Sequence, residues 1–202
     1  MTDTMTDTTA PLRIAVLVGS TREGRFAPVV TNWLTAHLAR RDDMTADFVD
    51  LAETQLPTAL PAFGQDLPPG SAGLLAEVSP RLAAADAFIF VTPEYNHSFP
   101  ASLKNAIDWH NEQWHGKPVA FVSYGGLSGG LRAVAHLRPV MAEVNAMTIR
   151  NTVSFHDAWS RFEESGAVKD PAADTAAKAL LDQLAWWGHA LRDAKAVRSY
   201  VA

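Results

Sequence analysis

The chain alternates between short apolar runs and longer segments in which apolar residues recur at every third or fourth position. The first run, Leu12–Val18, is almost wholly apolar and ends at Gly19, as expected for a strand buried on both faces. The segment after it places apolar side chains at helical spacing between Phe26 and Leu38. Repeated along the chain, this pattern predicts five strands and five helices in strict alternation. Such alternation favours an α/β fold with a parallel sheet, covered by helices on both faces and connected by right-handed crossovers.

The other predicted elements follow the same pattern. Asp47 and Asp50 lie in the second predicted strand and favour an edge position for it. Pro100 can open a helix, because a proline at the first helical position loses no needed hydrogen bond. The stretch 156–169 has no clear period and is expected to be a surface excursion. After the first strand and helix, the sequence predicts strands at 44–51, 87–92, 118–123 and 147–155. It predicts one helix at 72–84, one that starts at Pro100, one that ends at about Val144 and one that starts at Pro171.

The composition excludes several kinds of site. No cysteine is present, so disulfides, thiolate catalysis, iron–sulfur clusters and cysteine zinc sites are excluded. The net charge of −5 gives no general electrostatic reason for nucleic-acid binding. The 202 residues suit one domain, which we expect at 11–202 behind a disordered tail at 1–10. The N-terminus lacks a secretory pattern and no run reaches the roughly 18 apolar residues of a membrane helix, so we expect a cytoplasmic protein without membrane contact.

Three loops rich in glycine, hydroxyl or amide side chains follow three of the predicted strands. In a doubly wound sheet of strand order 2-1-3-4-5, ligands bind at the carboxyl ends of the strands, between the first and the third. The loops after strands one, three and four begin at Gly19, Pro93 and Tyr124. We therefore expect them to share one rim of the sheet and to form one binding site.

The first loop is Gly19-Ser20-Thr21-Arg22-Glu23-Gly24-Arg25. It offers backbone N–H groups, two hydroxyls and two guanidinium groups at the start of a helix. These donors suit a phosphate dianion, because unpaired N–H groups and the helix dipole both favour negative charge there. The simpler alternative is a helix cap with solvated arginines. The loop matches neither the Walker pattern nor Gly-x-Gly-x-x-Gly.

The other two loops favour a flat ring. Pro93, Tyr95 and Asn96 can frame a heterocycle, although a proline-capped helix entry would use similar residues. The glycines in 124–130 let the backbone approach a ligand closely, although a flexible turn would also use them. A phosphate at one end and a planar ring at the other, both held mainly by backbone, describe a site for a cofactor that brings its own chemistry.

Three segments resemble the NAD(P)H-dependent FMN reductases, a family of flavodoxin-like fold. The segments are the first loop, then Pro93-Glu94-Tyr95-Asn96-His97-Ser98-Phe99-Pro100 running into Leu103-Lys104-Asn105-Ala106-Ile107-Asp108-Trp109, and finally Ser123-Tyr124-Gly125-Gly126. The resemblance implies a flavodoxin-like, doubly wound, five-stranded sheet, FMN as cofactor, NADPH or NADH as co-substrate, and a homodimer or tetramer. Family members usually have glycine where Ala101 stands here.

In that family the first loop binds the FMN phosphate, and the other two hold the isoalloxazine ring largely through main chain. Carried over by position, Ser20, Arg22 and Arg25 would hold the phosphate, 94–97 would border the ring, and 124–126 would line its polar edge. No side chain is required as a general acid or base, because the flavin carries the chemistry. The cofactor-binding residues implied by the resemblance are Gly19, Ser20, Thr21, Arg22, Arg25, Phe26, Pro93, Glu94, Tyr95, Asn96, His97, Ser123, Tyr124, Gly125 and Gly126.

The implied function is that of a reductase. A nicotinamide would pass hydride to flavin N5 and leave, and a small-molecule electron acceptor would then occupy the same space, in a ping-pong cycle. Backbone N–H groups near N1 would stabilise the negative charge of the ring. A quinone, a free flavin, an azo compound and a metal oxyanion are all compatible as acceptors, and NADPH is not distinguished from NADH.

Two alternative functions use the same loops. A flavodoxin-type electron carrier would bind the same cofactor, although such carriers are usually more acidic than this chain. A hydrolase is suggested by the segment 126–130, Gly-Leu-Ser-Gly-Gly, which fits the nucleophile elbow with Ser128 as nucleophile and Asp157 and His189 following in order. That elbow should sit directly at a strand end, whereas the fourth predicted strand stops several residues earlier.

Two further groups of side chains are expected to be structural. His110, Glu112 and His115 lack the His-Glu-x-x-His spacing of a metal site and are expected in a polar loop or a subunit contact. Several tryptophans are expected in the core or at a subunit interface: Trp109, Trp114, Trp186 and Trp187.

Overall fold

A computed structural model describes residues 10–62 and 64–201, so most of the expected N-terminal tail lies outside the described residues. Within them, five parallel strands form one sheet of order β2-β1-β3-β4-β5, which confirms the predicted topology. The third and fourth strands each extend one residue further than predicted, to Pro93 and Tyr124. The strands are β1 (Leu12–Val18), β2 (Met44–Asp50), β3 (Ala87–Pro93), β4 (Pro118–Tyr124) and β5 (Met147–Phe155).

Helices connect the strands in the predicted alternation. Pro100 precedes the third helix as its N-cap and is not its first residue, a shift of one position from the prediction. The last helix begins at Pro171, where the Asp170 side chain accepts a hydrogen bond from the Ala172 N–H. The described helices are α1 (Ala27–Leu38), α2 (Ser71–Ala84), α3 (Ala101–Asp108), α4 (Leu131–Glu143) and α5 (Pro171–Val197), with short 3-10 turns at Glu112–Trp114 and Ala158–Ser160. None of the helices within 10–62 and 64–201 has the length and hydropathy that crossing a membrane requires.

The two faces of the sheet are covered by different helices. Alternate residues of a strand point to opposite faces, and in β1 Ile14 and Val16 pack with α1 and α5, whereas Ala15 and Leu17 pack with α2, α3 and α4. The nearly continuous apolar run of β1 is therefore explained by burial on both sides, as the sequence predicted.

The sheet ends at β2 on one side, as the two aspartates predicted. Asp47 accepts hydrogen bonds from Arg81 on α2, with an Arg81 Nε to Oδ2 distance of 2.9 Å. Asp50 pairs with Arg25, the last residue of the first loop. Both carboxylates are therefore used to bind neighbouring elements at an edge strand, where charged residues also discourage pairing with another sheet.

The segment 156–169 is only partly a surface excursion, so that prediction is wrong for two of its residues. Ala158 is fully buried and Phe162 is 7% exposed. The Phe162 ring lies 5.6 Å from Phe26 and 4.9 Å from Phe155, between centroids. Isolated apolar residues in an aperiodic segment give no periodic signal, and here tertiary contacts alone bury them.

Lys117 is a buried cation at the amino end of β4. Its Nζ donates to the carbonyl oxygens of Leu82 and Ala83 at the C-terminus of α2, both at 2.9 Å. Burial lowers the pKa of Lys117 to about 8. A lysine in the unfolded chain keeps an ordinary pKa near 10.4, so between these two values the folded protein binds fewer protons than the unfolded one.

We therefore expect the free energy of unfolding to rise between pH 8 and about 10.4, by up to about 3 kcal/mol. Urea unfolding at several pH values measures this slope. The Lys117→Met variant should lack this contribution while keeping every other titrating group. Parallel pH profiles for the two proteins would contradict the assignment.

Candidate functional site

The loops after β1, β3 and β4 lie side by side at the carboxyl rim of the sheet, as predicted from the topology. β3 lies between β1 and β4 in the sheet. The Ser20 Oγ of the first loop lies 2.7 Å from the Tyr95 hydroxyl of the second, and the Glu94 N–H donates to the Tyr124 carbonyl at 3.2 Å. The structure thus brings all three sequence-predicted segments together.

The first loop presents a row of backbone donors. Among the described residues, the N–H groups of 20–24 have no hydrogen-bond acceptor, whereas Gly19 N–H bonds to the Val91 carbonyl and Arg25 N–H to the Arg22 carbonyl. α1 begins directly afterwards, and its N-cap, Phe26, provides no capping side chain. This set of unpaired donors at a helix N-terminus fits a phosphate dianion.

The two arginines of this loop have different surroundings. Arg25 is 17% exposed and forms a side-on ion pair with Asp50, with an Nη2 to Oδ2 distance of 2.6 Å, and its Nη1 donates to the Ser20 carbonyl at 2.8 Å. The hydrogen bond to Asp50 raises the pKa of the Arg25 guanidinium. Arg22 is exposed, and its guanidinium carbon lies 5.5 Å from the centroid of the Tyr95 ring. Arg25 therefore braces the loop from inside, and Arg22 is the more accessible cation.

The second loop contains a tight turn in a strained conformation. Tyr95 and Ser98 exchange backbone hydrogen bonds of 2.8 and 3.1 Å. Asn96 and His97 between them have φ values of +49° and +74°, which is typical of a type I′ turn and costs a non-glycine residue about 1–2 kcal/mol. The N–H groups of Asn96 and His97 have no acceptor among the described residues. The strain presents two backbone donors at the rim, which is typical of functional sites.

Glu94 fastens the second loop to α4. Its side chain is 9% exposed and accepts bonds from the Ser128 hydroxyl, from Arg132 Nη1 at 3.1 Å and from the Arg132 N–H at 3.2 Å. Burial alone would raise the pKa of Glu94, but the bonds from Ser128 and Arg132 bring it below its ordinary value. The carboxylate is thus a brace between loops, and the part of Glu94 that can border a ligand is its main chain.

The third loop passes very close to the end of β4. Gly130 has a φ of +88°, and a Cβ there would lie 2.6 Å from the Ser123 Cβ. Ser123 is fully buried and donates its hydroxyl to the Gly129 carbonyl at 2.9 Å. The N–H groups of 126–128 have no acceptor among the described residues. We refer to the N–H groups of 20–24, 96–97 and 126–128 together as the open amides.

Tyr124 differs from its neighbours in the predicted set. Its side chain is 4% exposed and packs against Phe26 on the α1 side of the sheet, at a centroid distance of 6.1 Å. Burial raises the pKa of its hydroxyl, which has no hydrogen-bond partner among the described residues. At the rim, Tyr124 therefore offers only main chain.

The sequence profile of the family described as NADPH-dependent FMN reductase matches residues 12–160, well over half of the chain. The chain belongs to this family. It is therefore an FMN-dependent, NAD(P)H-oxidising enzyme, as the resemblance implied. An enzyme of this family is distinct from a flavodoxin-type carrier, so that alternative is not supported.

Named relatives agree with this family. An NAD(P)H-dependent FMN reductase of Schizosaccharomyces pombe is 37% identical over 122 residues, which cover 58% of this chain and 60% of that protein. A 2-hydroxy-1,4-benzoquinone reductase of a Burkholderia species is 33% identical over 184 residues, covering 87% of this chain and 96% of that protein. Among solved structures, the flavoenzyme FerB of Paracoccus denitrificans, an NAD(P)H:acceptor oxidoreductase, superposes with a TM-score of 0.70 at 25% identity and covers 89% of this chain and 98% of that one.

The hydrolase alternative is inconsistent with the geometry of this FMN reductase family member. Ser128 follows the carboxyl end of β4 and donates to Glu94. His189 accepts a hydrogen bond from Arg192, which also donates to the Ala10 carbonyl just before β1 begins. The two supposed triad members therefore lie at opposite ends of the sheet.

Of the polar residues that follow α3, His110 is part of the packing, whereas Glu112 is exposed. His110 is buried, with its Nε2 3.0 Å from the Ser79 hydroxyl and its Nδ1 2.8 Å from the Ala106 carbonyl. His115 Nε2 lies 3.1 Å from the Asn111 side-chain oxygen. Of the tryptophans expected in the core or at a subunit interface, Trp114 is fully buried, whereas Trp186 is 63% exposed.

Sequence reasoning missed the side chains that brace the site. Asp50 was interpreted only as an edge residue, and Ser128 and Arg132 were not connected with Glu94. These contacts span 25 to 38 positions of the chain. Correlated changes among homologues would be the signal that could reveal such pairs, since a single sequence carries no information about them.

Proposed function

We propose that this enzyme is a quinone-type reductase in which the open amides hold FMN, with its phosphate at the first loop and its ring at the second and third. The observation that carries this proposal is the presence of three adjacent sets of unpaired backbone donors on one rim. Backbone donors bind an anionic phosphate and the polar edge of a ring without adding a titratable side chain.

Most of the cofactor-binding residues implied by the resemblance have a role in this proposal. The N–H groups of 20–24, the Ser20 and Thr21 side chains and the Arg22 charge hold the phosphate, and Arg25 keeps their loop in place. The turn at Asn96 and His97 and the main chain of Gly125 and Gly126 border the ring. Pro93 and Ser123 shape the strand ends from which these loops start, and Gly19 and Phe26 bound the phosphate loop.

Bound FMN supplies the redox chemistry: it accepts a hydride from NAD(P)H and returns two electrons, with protons, to an acceptor. The protein binds and orients the reactants and supplies N–H donors where negative charge develops. We propose a quinone as the acceptor, which the name of the Burkholderia relative supports. Nicotinamide and quinone would use the same exposed face in turn.

This proposal predicts ping-pong kinetics. Double-reciprocal plots of NADPH oxidation at several fixed concentrations of 2-hydroxy-1,4-benzoquinone should be parallel, and activity should require FMN. The same assay with an azo dye and with chromate compares acceptors, and we expect the quinone to have the highest kcat/KM. Intersecting lines, or activity in the apoprotein, would contradict the mechanism, and a higher kcat/KM for another acceptor would overturn the quinone assignment.

We also propose a homodimer or tetramer that works in the cytoplasm, where nicotinamide coenzymes are regenerated. Membership of the FMN reductase family, for which the resemblance implies a homodimer or tetramer, supports this assembly.

A further inference from the structure

Trp159 lies at the rim of the site, in a segment for which the family resemblance implies no role. Its side chain is 63% exposed. Its ring centroid is 6.4 Å from that of Phe26, which follows the phosphate loop. Its Cζ3 atom is 3.8 Å from the position that a Cβ on Gly126 would occupy. Trp159 is therefore adjacent to both the first and the third loop.

The backbone beside Trp159 is held firmly against the third loop. The Asp157 N–H donates to the Gly126 carbonyl at 2.9 Å, and the Ala158 N–H donates to the Gly125 carbonyl at 3.0 Å. Ala158 is fully buried, and Asp157 has a φ of +48°, an unusual conformation for a non-glycine residue. Hydrogen bonds and burial thus hold the backbone that precedes Trp159 against Gly125 and Gly126.

Trp159 lies between the apolar ring of Phe26 and the third loop, which carries unpaired donors. Leu127 is 88% exposed, although it belongs to the third loop, whose N–H groups at 126–128 have no acceptor among the described residues. Apolar side chains around a few fixed polar groups are typical of sites for flat heterocyclic ligands. A large aromatic side chain that is held in place but left open to water can gain burial when such a ligand binds.

We infer that Trp159 forms an apolar side wall of the flavin site and is covered when FMN binds. The inference rests on the proposed function and assigns a binding role to the start of the segment 156–169. Trp159 is a residue that contacts the cofactor and takes no part in proton transfer.

A matched control residue exists in the same chain. Trp186 is also 63% exposed, but two positions later on α5 Gly188 packs against Leu12, the first residue of β1. Trp186 therefore lies toward the amino end of the sheet, away from the rim. Two tryptophans of equal exposure, one at the site and one distant from it, allow a comparison within one molecule.

The first test is oxidation of the apoprotein by N-bromosuccinimide in the dark, with and without saturating FMN, read by peptide mass spectrometry. We expect FMN to lower the Trp159 to Trp186 oxidation ratio at least fivefold. The ratio cancels any reagent consumed by the flavin. An unchanged ratio in a sample shown by flavin fluorescence to contain bound FMN would overturn the inference, while leaving the proposed function intact. Failure of FMN to bind at all would overturn both.

The second test uses variants and measures FMN affinity by titration of the apoprotein. Trp159→Ala should raise the Kd about three- to tenfold, because it removes one aromatic contact. Trp159→Phe should recover most of the loss, and Trp186→Ala should leave the Kd unchanged. If Trp159→Ala bound FMN as tightly as the parent protein, the proposed role of Trp159 as a side wall would be contradicted. Equal losses of FMN affinity in the Trp159→Ala and Trp186→Ala variants would contradict it as well.

Discussion

Alanine in place of Arg25 is expected to raise the Kd for FMN about ten- to a hundredfold, measured by flavin fluorescence in a titration of the apoprotein. The guanidinium is bonded to Asp50 on one side and to the Ser20 carbonyl on the other, so its loss releases the start of the phosphate loop. It also leaves the Asp50 carboxylate, whose side chain is 21% exposed, unpaired near the proposed phosphate site.

The double variant Arg25→Ala/Asp50→Asn separates a bracing role from direct contact with the phosphate. If Arg25 acts by neutralising Asp50 and holding the loop, removal of the carboxylate should recover part of the lost affinity. If Arg25 binds phosphate directly, the double variant should still bind FMN at least about tenfold more weakly than Asp50→Asn alone.

Arg22→Ala is the matched control for Arg25→Ala, because it removes the same charge from the same loop. Arg22 is exposed and pairs with no carboxylate among the described residues, so we expect its loss to raise the Kd less than about fivefold. Equal effects of the Arg22 and Arg25 variants would show that only the net charge of the loop matters.

Alanine in place of Gly130 is expected to lower the free energy of unfolding by about 3 kcal/mol or more and to abolish measurable FMN binding. A Cβ at this position would lie 2.6 Å from the Ser123 Cβ and 2.9 Å from the Tyr124 backbone nitrogen. The end of β4 and the third loop would have to separate, and the N–H groups at 126–128 would lose their alignment. Urea unfolding and an FMN titration measure the two effects.

Gly166→Ala distinguishes this steric overlap from backbone strain alone. Gly166 has a φ of +83°, close to that of Gly130, but a Cβ there would meet no atom within 4 Å. The Gly166→Ala substitution should therefore lower the free energy of unfolding only by the cost of a left-handed backbone in a non-glycine residue, about 1–2 kcal/mol. FMN binding should be unchanged. If both variants lose the same stability and both bind FMN, the close approach at Gly130 has no role in the site.

The secondary structure was predictable because it depends on local periodicity. The apolar run of β1 and the helical spacing of α1 each reflect which faces are buried, and burial on both faces follows from the alternation of strands and helices. The grouping of three loops on one rim was also predictable, because parallel strands of known order place their carboxyl ends together.

The side-chain partners within the site were not predictable in the same way. Arg25 is paired with Asp50 in the folded protein, a partner that the sequence pattern did not indicate. The Glu94 carboxylate is bonded to Ser128 and Arg132, neither of which the sequence pattern connected with it. Long charged side chains select partners by distance in space, and the pattern of a single sequence does not encode which distant residue lies within reach.

The sequence by itself determined the order of elements, the rim on which the three candidate loops meet and the chemical character of those loops, since local periodicity and parallel-strand topology control all three. Only the tertiary structure decided which donors remain unpaired, which arginine is accessible and that Trp159 lies beside Gly126. These features depend on hydrogen bonds and packing between elements far apart in the chain, and they exist only once the sheet has assembled.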